Sequence, residues 1–341
     1  MLTARFHCRV LTPLFLGGAD PDDSPEFRPP SVRGLLRYWY RTLLGARGVT
    51  GHAALLRSSA QVFGSAETAS PVRVRIPGAR KPEVISPPEA LGGEGRSYLW
   101  HFIQAGDNDR SGIRPGTPFE IRLSVVPRRT GSSPEVVLKE TILALWLLTY
   151  LGGVGTRSRR LAGSFCVERV DCPDLLTVPS FTPEAPLEES MEACLDRILP
   201  ETDRQTPTDI DHLGRASVWV GENCYTSCSR AVDEIGASYK EYRDQLTDGQ
   251  KIGFGLPIAQ GDDGADVQRS GNAVERRASP LWMQIVEDRG GEYRPVFTLF
   301  GGNFLRKSED VRVGGQPFEQ VFRPATREFI ERRGATLVYS P

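Results

Sequence analysis

Residues 3–10 alternate strictly. Ala4, Phe6, Cys8 and Val10 fall on one side, and Thr3, Arg5, His7 and Arg9 on the other. A period of two predicts a half-buried strand, which ends by Gly17-Gly18. A polar, proline-rich loop follows over 19–30. From Ser31, a candidate cap after two prolines, Val32, Leu35, Leu36, Trp39 and Leu43 recur at helical spacing and make one apolar stripe. That helix stops near Gly45. A second helix is expected over 52–62, before Phe63-Gly64-Ser65. Strands are expected over 72–76 and 119–126, with a further one over 98–104. Pro134 opens a helix reaching about residue 151; it is apolar nearly all round from Thr141 to Leu148, so it belongs in a deep interior. A glycine-rich turn leads to a last strand over 164–170. The order is β-α-β-β-α-β, the ferredoxin-like arrangement.

Residues 172–190 are rich in Pro, Glu and Thr and read as a linker. Beyond them, helices are expected over 187–199 and 232–246. Strands are expected over 216–220, 251–258, 281–286, 294–300 and 337–339. A helix interrupted at Pro324 is expected over 318–333, and a mobile loop over 260–275. The expected fold class is α+β, with two ferredoxin-like domains: 1–171, and a decorated one over 191–341. A chain of 341 residues suits two domains.

Charge changes this picture through its kind, not its sum. The formal net charge is −1, yet 37 of the 42 basic residues are Arg and five are Lys. Arginine grips phosphate bidentately and stacks on bases. A GC-rich genome also enriches arginine, so placement has to decide. No stretch approaches the ~20 apolar residues of a membrane span, and the first residues read as a strand, so a cytoplasmic location is expected. The six Cys, at 8, 166, 172, 194, 224 and 228, read as reduced thiols. Cys224 and Cys228 with His212 lack the paired knuckles of a zinc site. No metal or cofactor is expected.

Two segments concentrate the arginines. In the first, Arg33, Arg37 and Arg41 form a stripe on the predicted helix, away from its apolar face, with Arg28 and Ser31 at its entrance. No acid interleaves among them, whereas a merely solvated face mixes signs. Gly34 leaves room for a backbone or an RNA. The second segment, residues 152–165, sets Arg157, Ser158, Arg159 and Arg160 between glycines that free backbone N–H groups for phosphate. A weaker group, Arg276 and Arg277, precedes a strand. Lys251-Ile252-Gly253-Phe254-Gly255 is a further Gly-rich, aromatic segment. Tyr38, Tyr40 and Phe165 are candidate base-stacking residues, and Trp39 is expected in the core.

These residues resemble a known family. Pro29-Pro30-Ser31-Val32-Arg33-Gly34-Leu35-Leu36-Arg37-Tyr38-Trp39 is similar to the P-S-x-[RK]-G-x-x-R-[FY]-W segment of RAMP proteins, in particular of the family of first subunits of type III-B (Cmr) CRISPR effector complexes. Residues 152–163 resemble its G-G-x-G-[AT]-R-S-R-R-G-x-G loop, and Arg276-Arg277-Ala278-Ser279-Pro280-Leu281 its R-[RL]-A-S-P-[LV] segment. Leu161-Ala162 stand where the family usually has glycine, so that end of the loop is expected to be stiffer. The resemblance implies two RRM-like domains, no catalytic role, and a place at one end of a filament of RAMP subunits on a guide RNA. There the protein would help bind target RNA near the guide's 3′ end. The expected partners are therefore guide RNA, target RNA and the other RAMP subunits, with no membrane and no small-molecule substrate. Base pairing would supply sequence specificity.

Three other readings stay open. Asp20, Asp22 and Asp23, with Glu26, lie in the first loop and would suit a metal-dependent RNA-cleaving site. His7, His52, His101 and His212 are the general acid/base candidates for guide processing. A structural cap would use its arginines on protein instead.

Overall fold

The computed structural model describes residues 1–17, 25–49, 51–77, 82–104, 109–127, 131–174, 176–199, 210–255, 265–269, 272–274, 278–301, 309–313, 316–318 and 324–341. The first half runs β1 (Leu2–Val10), α1 (Pro29–Ala46), α2 (His52–Phe63), β2 (Val72–Arg75), β3 (Val84–Ile85), α3 (Pro87–Ala90), α4 (Glu94–Trp100), β4 (Gly112–Ile113), β5 (Pro118–Val125), α5 (Pro134–Tyr150) and β6 (Phe165–Asp171). The second runs α6 (Leu187–Ile198), β7 (Ala216–Val220), α7 (Cys228–Asp244), α8 (Asp248–Lys251), β8 (Ala265–Arg269), β9 (Asn272–Val274), β10 (Leu281–Glu287), β11 (Tyr293–Phe300), β12 (Glu309–Val313), β13 (Gln316–Phe318), α9 (Pro324–Glu331) and β14 (Thr336–Tyr339).

The described residues form three four-stranded antiparallel sheets; one is β13-β12-β8-β9, and the other two carry the core. Of these two, the first has the order β2-β5-β1-β6 and the second β10-β11-β7-β14. Renumbered within each half, both read 4-1-3-2, with the first strand paired to the third and fourth. The register of β1 puts Phe6 opposite Ile121 and Ala4 opposite Leu123, so the apolar side of the alternation becomes one buried face. Helix α5 covers that face; twelve of its 17 residues are buried, as its uniformly apolar sequence requires.

The two halves interlock. On α1, Trp39 packs against Trp282 of β10 at 5.3 Å between ring centres and against Phe300 of β11 at 6.1 Å. Helix α4 crosses to α7 so closely that a Cβ on Gly95 would lie 2.0 Å from the Asp233 carbonyl oxygen. Arg9 of β1 reaches Glu287 of β10 at 2.7 Å. Arg294 of β11, almost fully buried, forks onto Glu188 of α6 and holds that carboxyl below its usual range against the opposing effect of burial.

Several sequence expectations are corrected. Residues 98–104 are not a strand: they finish α4 and continue as a 3-10 turn, His101–Gln104. The described part of 251–258 is likewise the end of α8 and a 3-10 turn, Ile252–Phe254. Helix α1 starts at Pro29 with Arg28 at its cap, because two prolines preset the first turn, so Ser31 lies inside the helix. Strands β8 and β9 fall in the stretch expected as a loop. In the described part of 318–333, Phe318 ends β13 and the helix runs Pro324–Glu331. Helix α6, Leu187–Ile198, matches the helix expected over 187–199, so only the overlapping end of the expected linker is corrected.

Candidate nucleic-acid interface

Helix α1 buries Val32, Leu36, Trp39 and Leu43 and turns its opposite side outward. At about 100° per residue, Gly34 is centred on that outer side. Arg33, Arg37 and Arg41 lie on one flank of it, and Ser31 and Tyr38 on the other. Arg28, Ser31 and Gly34 are exposed, and a Cβ on Gly34 would meet nothing within 4 Å. A chain molecule therefore has a clear approach along the first turns.

The arginine stripe has a structural duty as well. Arg33 and Arg37 each donate to the Phe63 carbonyl at 2.7 Å, and Arg37 also to that of Gly64. Arg41 donates to the Ser59 hydroxyl at 3.1 Å. These acceptors include orphan carbonyls at the end of α2, where a helix carries partial negative charge. Each guanidinium has five N–H donors, so most remain for another acceptor. No carboxylate neutralises them: among the described residues Arg28, Arg33, Arg37 and Arg41 form no ion pair. Partial burial, then repulsion from Arg41 and Arg33, lowers the pKa of Arg37. Crowded like charges of this kind gain from an added polyanion.

The loop between α5 and β6 splits its arginines. Arg160 is buried. It donates to the carbonyls of Leu281 at 3.2 Å and Phe254 at 2.9 Å and lies over the Tyr239 ring at 5.1 Å. Burial lowers its pKa, and no face is left for phosphate. The expectation that Arg160 lines an RNA groove is therefore withdrawn: it is a bolt between the halves. Arg159 stays half-exposed, its guanidinium 4.4 Å over Trp282 and donating to the Ser279 carbonyl. Arg157 stands 5.0 Å over the Phe102 ring. Ser158 is half-exposed, and its carbonyl accepts from Gln284 at 2.5 Å.

Two non-glycine residues of this loop, Arg157 (φ 62°) and Leu161 (φ 63°), sit in the left-handed region. Such residues persist where surroundings over-determine them. Leu161 is fully buried, and its N–H is held by the Met283 carbonyl at 3.1 Å. Here a leucine occupies a glycine-like conformation, and packing holds it there.

The two segments meet. Tyr38 of α1 lies 5.7 Å from Trp282 between ring centres, on the same indole that Arg159 covers. Burial, and after it the Asp211 carboxylate that accepts from the Tyr38 hydroxyl at 3.3 Å, push this phenol well above its usual range, while Arg159 opposes the rise. A positive ridge thus runs from Arg33 and Arg37, over Gly34, to Tyr38 and Arg159. Sequence reasoning missed Trp282 as the joint between them; its place in a predicted strand carried no sign of that role. Phe165 is buried, and so is Tyr40, which leaves Tyr38 of the three stacking candidates nearest the ridge. Arg276, Arg277, Asp20, Asp22 and Asp23 lie outside the described residues. His212 is buried, and no group of three or more metal-ligating side chains occurs among the described residues. No helix among them is long and apolar enough to cross a membrane.

Comparison with known proteins agrees with the motifs. The family model of the RAMP superfamily matches residues 7–166. The CRISPR system Cmr subunit Cmr1-1 of Pyrococcus furiosus is 29% identical over 326 residues, covering 89% of each chain. Cmr1-2 of the same organism is 29% identical over 188 residues, 49% of this chain and 96% of its own. The apo crystal structure of Cmr1 from Pyrococcus furiosus superposes with a TM-score of 0.71 at 25% identity, covering 100% of this chain and 99% of that one. A chain in the cryo-EM structure of the type III-B Cmr-beta complex bound to cognate target RNA shares the fold, with a TM-score of 0.61 at 13% identity over 98% of this chain and 99% of that one. Residues 7–166 thus match the RAMP superfamily, and the chain as a whole is similar to Cmr1 of type III-B CRISPR complexes.

Proposed function

We propose that this protein is a non-catalytic RNA-binding subunit at one end of a type III-B CRISPR effector complex, where it helps hold target RNA near the 3′ end of the guide. Its partners are the guide and target RNAs and neighbouring RAMP subunits. It folds as two ferredoxin-like domains, residues 1–171 and a second one that begins with α6 at Leu187, joined through 172–186. The repeated 4-1-3-2 strand order supports the domain reading. One observation carries the functional reading: an open ridge on α1, flanked by Arg33 and Arg37 on one side and Arg159 on the other, with no carboxylate paired to them among the described residues. Arg28, Ser31, Arg41, Arg157 and Ser158 would join this surface, as would Arg276 and Arg277, which lie outside the described residues. Pairing of guanidinium with phosphate is indifferent to base sequence, which suits a subunit whose specificity comes from the guide.

Photocrosslinking of guide and target RNA in the assembled complex, followed by peptide mapping, tests this. Crosslinks within 28–41 and 152–165 are expected; crosslinks confined to other segments contradict the proposal. In the same complex, D20N, D22N and D23N together leave target cleavage unchanged if this subunit is not the nuclease.

A further inference from the structure

The outer face of the first sheet, opposite α5, carries a second cationic surface. The register sets Arg75, Arg122 and Arg5 side by side across β2, β5 and β1, with Arg73 two residues along β2. Neighbouring strands lie about 4.8 Å apart, and like charges directly opposite one another destabilise a sheet. The row is therefore not there for the sheet's own stability.

The β6 side of the same face shows how this protein treats sheet arginines that need only internal partners. Arg9 is held by Glu168 at 2.5 Å and Glu287 at 2.7 Å. Arg169 and His7 share Asp171, at 3.2 and 2.9 Å. On the β2 side, Glu120 answers Arg122 at 2.9 Å, while Arg5, Arg73 and Arg75, all exposed, form no ion pair among the described residues. Asp171 stands opposite Arg5 in the register but is taken by His7 and Arg169. A cavity of about 200 Å³ is lined by these arginines with Met1, Thr3 and Ser124.

We infer that this face binds a second stretch of single-stranded RNA by its sugar-phosphate backbone. Phosphate groups fit guanidiniums repeated at strand spacing. The cavity's lining offers no aromatic platform, and its one hydrophobic side chain is Met1. Binding here is accordingly electrostatic and independent of base sequence. The inference does not depend on the α1 ridge, which lies beyond the opposite side of the sheet.

The test is fluorescence anisotropy of a 5′-labelled oligouridylate with the full chain at 0.1 M salt. Removing one guanidinium–phosphate pair lowers affinity by about five-fold, so R5Q/R73Q/R75Q is expected to bind on the order of 100-fold more weakly. The charge-preserving R5K/R73K/R75K keeps most of the affinity, and circular dichroism confirms that both variants fold. Wild-type affinity in the Gln variant overturns the inference. If that variant also releases a neighbouring subunit from the complex while binding RNA normally, the face is a protein interface and the inference is equally overturned. The variant R33Q/R37Q separates the two surfaces. Weakening in R33Q/R37Q alone supports the α1 ridge and overturns this face; weakening in the sheet variant alone supports this face and overturns the ridge.

Discussion

The two halves repeat one strand order but join their last helix to their last strand differently. In the second half, α9 turns into β14 through Arg332-Arg333-Gly334-Ala335. In the first, residues 151–164 leave α5, cross to the second sheet and return to β6. On the way Leu161 bonds to Met283, Arg160 to Leu281, and Ser164 to both Gln284 and Ile285. A repeated frame thus carries one connection that merely closes the fold and another that fastens the halves and shows its remaining arginines to solvent. The difference teaches that residue type does not assign the job: Arg159 and Arg160 are adjacent, yet one faces solvent and the other is a buried bolt.

The sharpest contrast is between the two glycines that precede the last strands. A Cβ on Gly163 (φ +78°) would lie 2.0 Å from the Val154 carbonyl oxygen, which is fixed backbone. Gly163→Ala is expected to lose about 3 kcal/mol or more of stability in denaturant titration. On Gly334 (φ +62°) the nearest obstacle is the Glu222 carboxylate, a movable side chain, so Gly334→Ala should lose about 1 kcal/mol. Equal losses would mean that the first connection is no more constrained than the second.

Next comes the arginine pair. Arg160→Met strands the buried carbonyls of Leu281 and Phe254 and should lose about 2–4 kcal/mol. Arg159→Met should lose less than about 1 kcal/mol but weaken RNA binding. If Arg159→Met were the more destabilising, the division of labour between the two residues would be wrong.

A third effect is acid sensitivity where the halves meet. His212 packs against Gly45 of α1 and precedes β7. Burial, with help from Arg215 and against Asp211, lowers its pKa below the ordinary 6.5. The unfolded chain therefore takes up this proton first. Its contribution to stability is full above pH 6.5 and is lost as pH falls from there toward the depressed folded value. Both ring nitrogens lack partners among the described residues. His212→Leu should flatten that limb of a Tm-against-pH curve; an unchanged limb would place the sensitivity elsewhere.

The smallest stability effect belongs to the α1 stripe. Arg33→Gln and Arg37→Gln each remove donors from the end of α2 and should lose about 0.5–1 kcal/mol, far less than the Gly163 and Arg160 changes. A larger loss in denaturant titration would make the stripe chiefly a support for α2.

Legibility in the sequence followed the reach of each interaction. Strand β1, the apolar stripe of α1 and the buried α5 were readable because a local period fixes them. Helix α4 was not: seven residues with Tyr98, Leu99 and Trp100 in a row mimic a strand, and its packing on α7, more than a hundred residues away, decides the outcome. The arginine-rich segments stood out through the absence of interleaved acids. The burial of Arg160 did not, because its acceptors at Phe254 and Leu281 are brought by tertiary structure. The row across β2, β5 and β1 was equally hidden. Each arginine alternates correctly in its own strand, and only the register aligns them.

The central claim is that the α1 ridge grips an RNA backbone. Its most direct test is the salt dependence of oligonucleotide affinity, plotted as log K against log salt, for the wild type and for R33Q/R37Q/R159Q. Every phosphate left without its arginine removes roughly 0.7 from the slope on a single strand, so a reduction of about 2 is expected. An unchanged slope, with affinity intact, would contradict the claim.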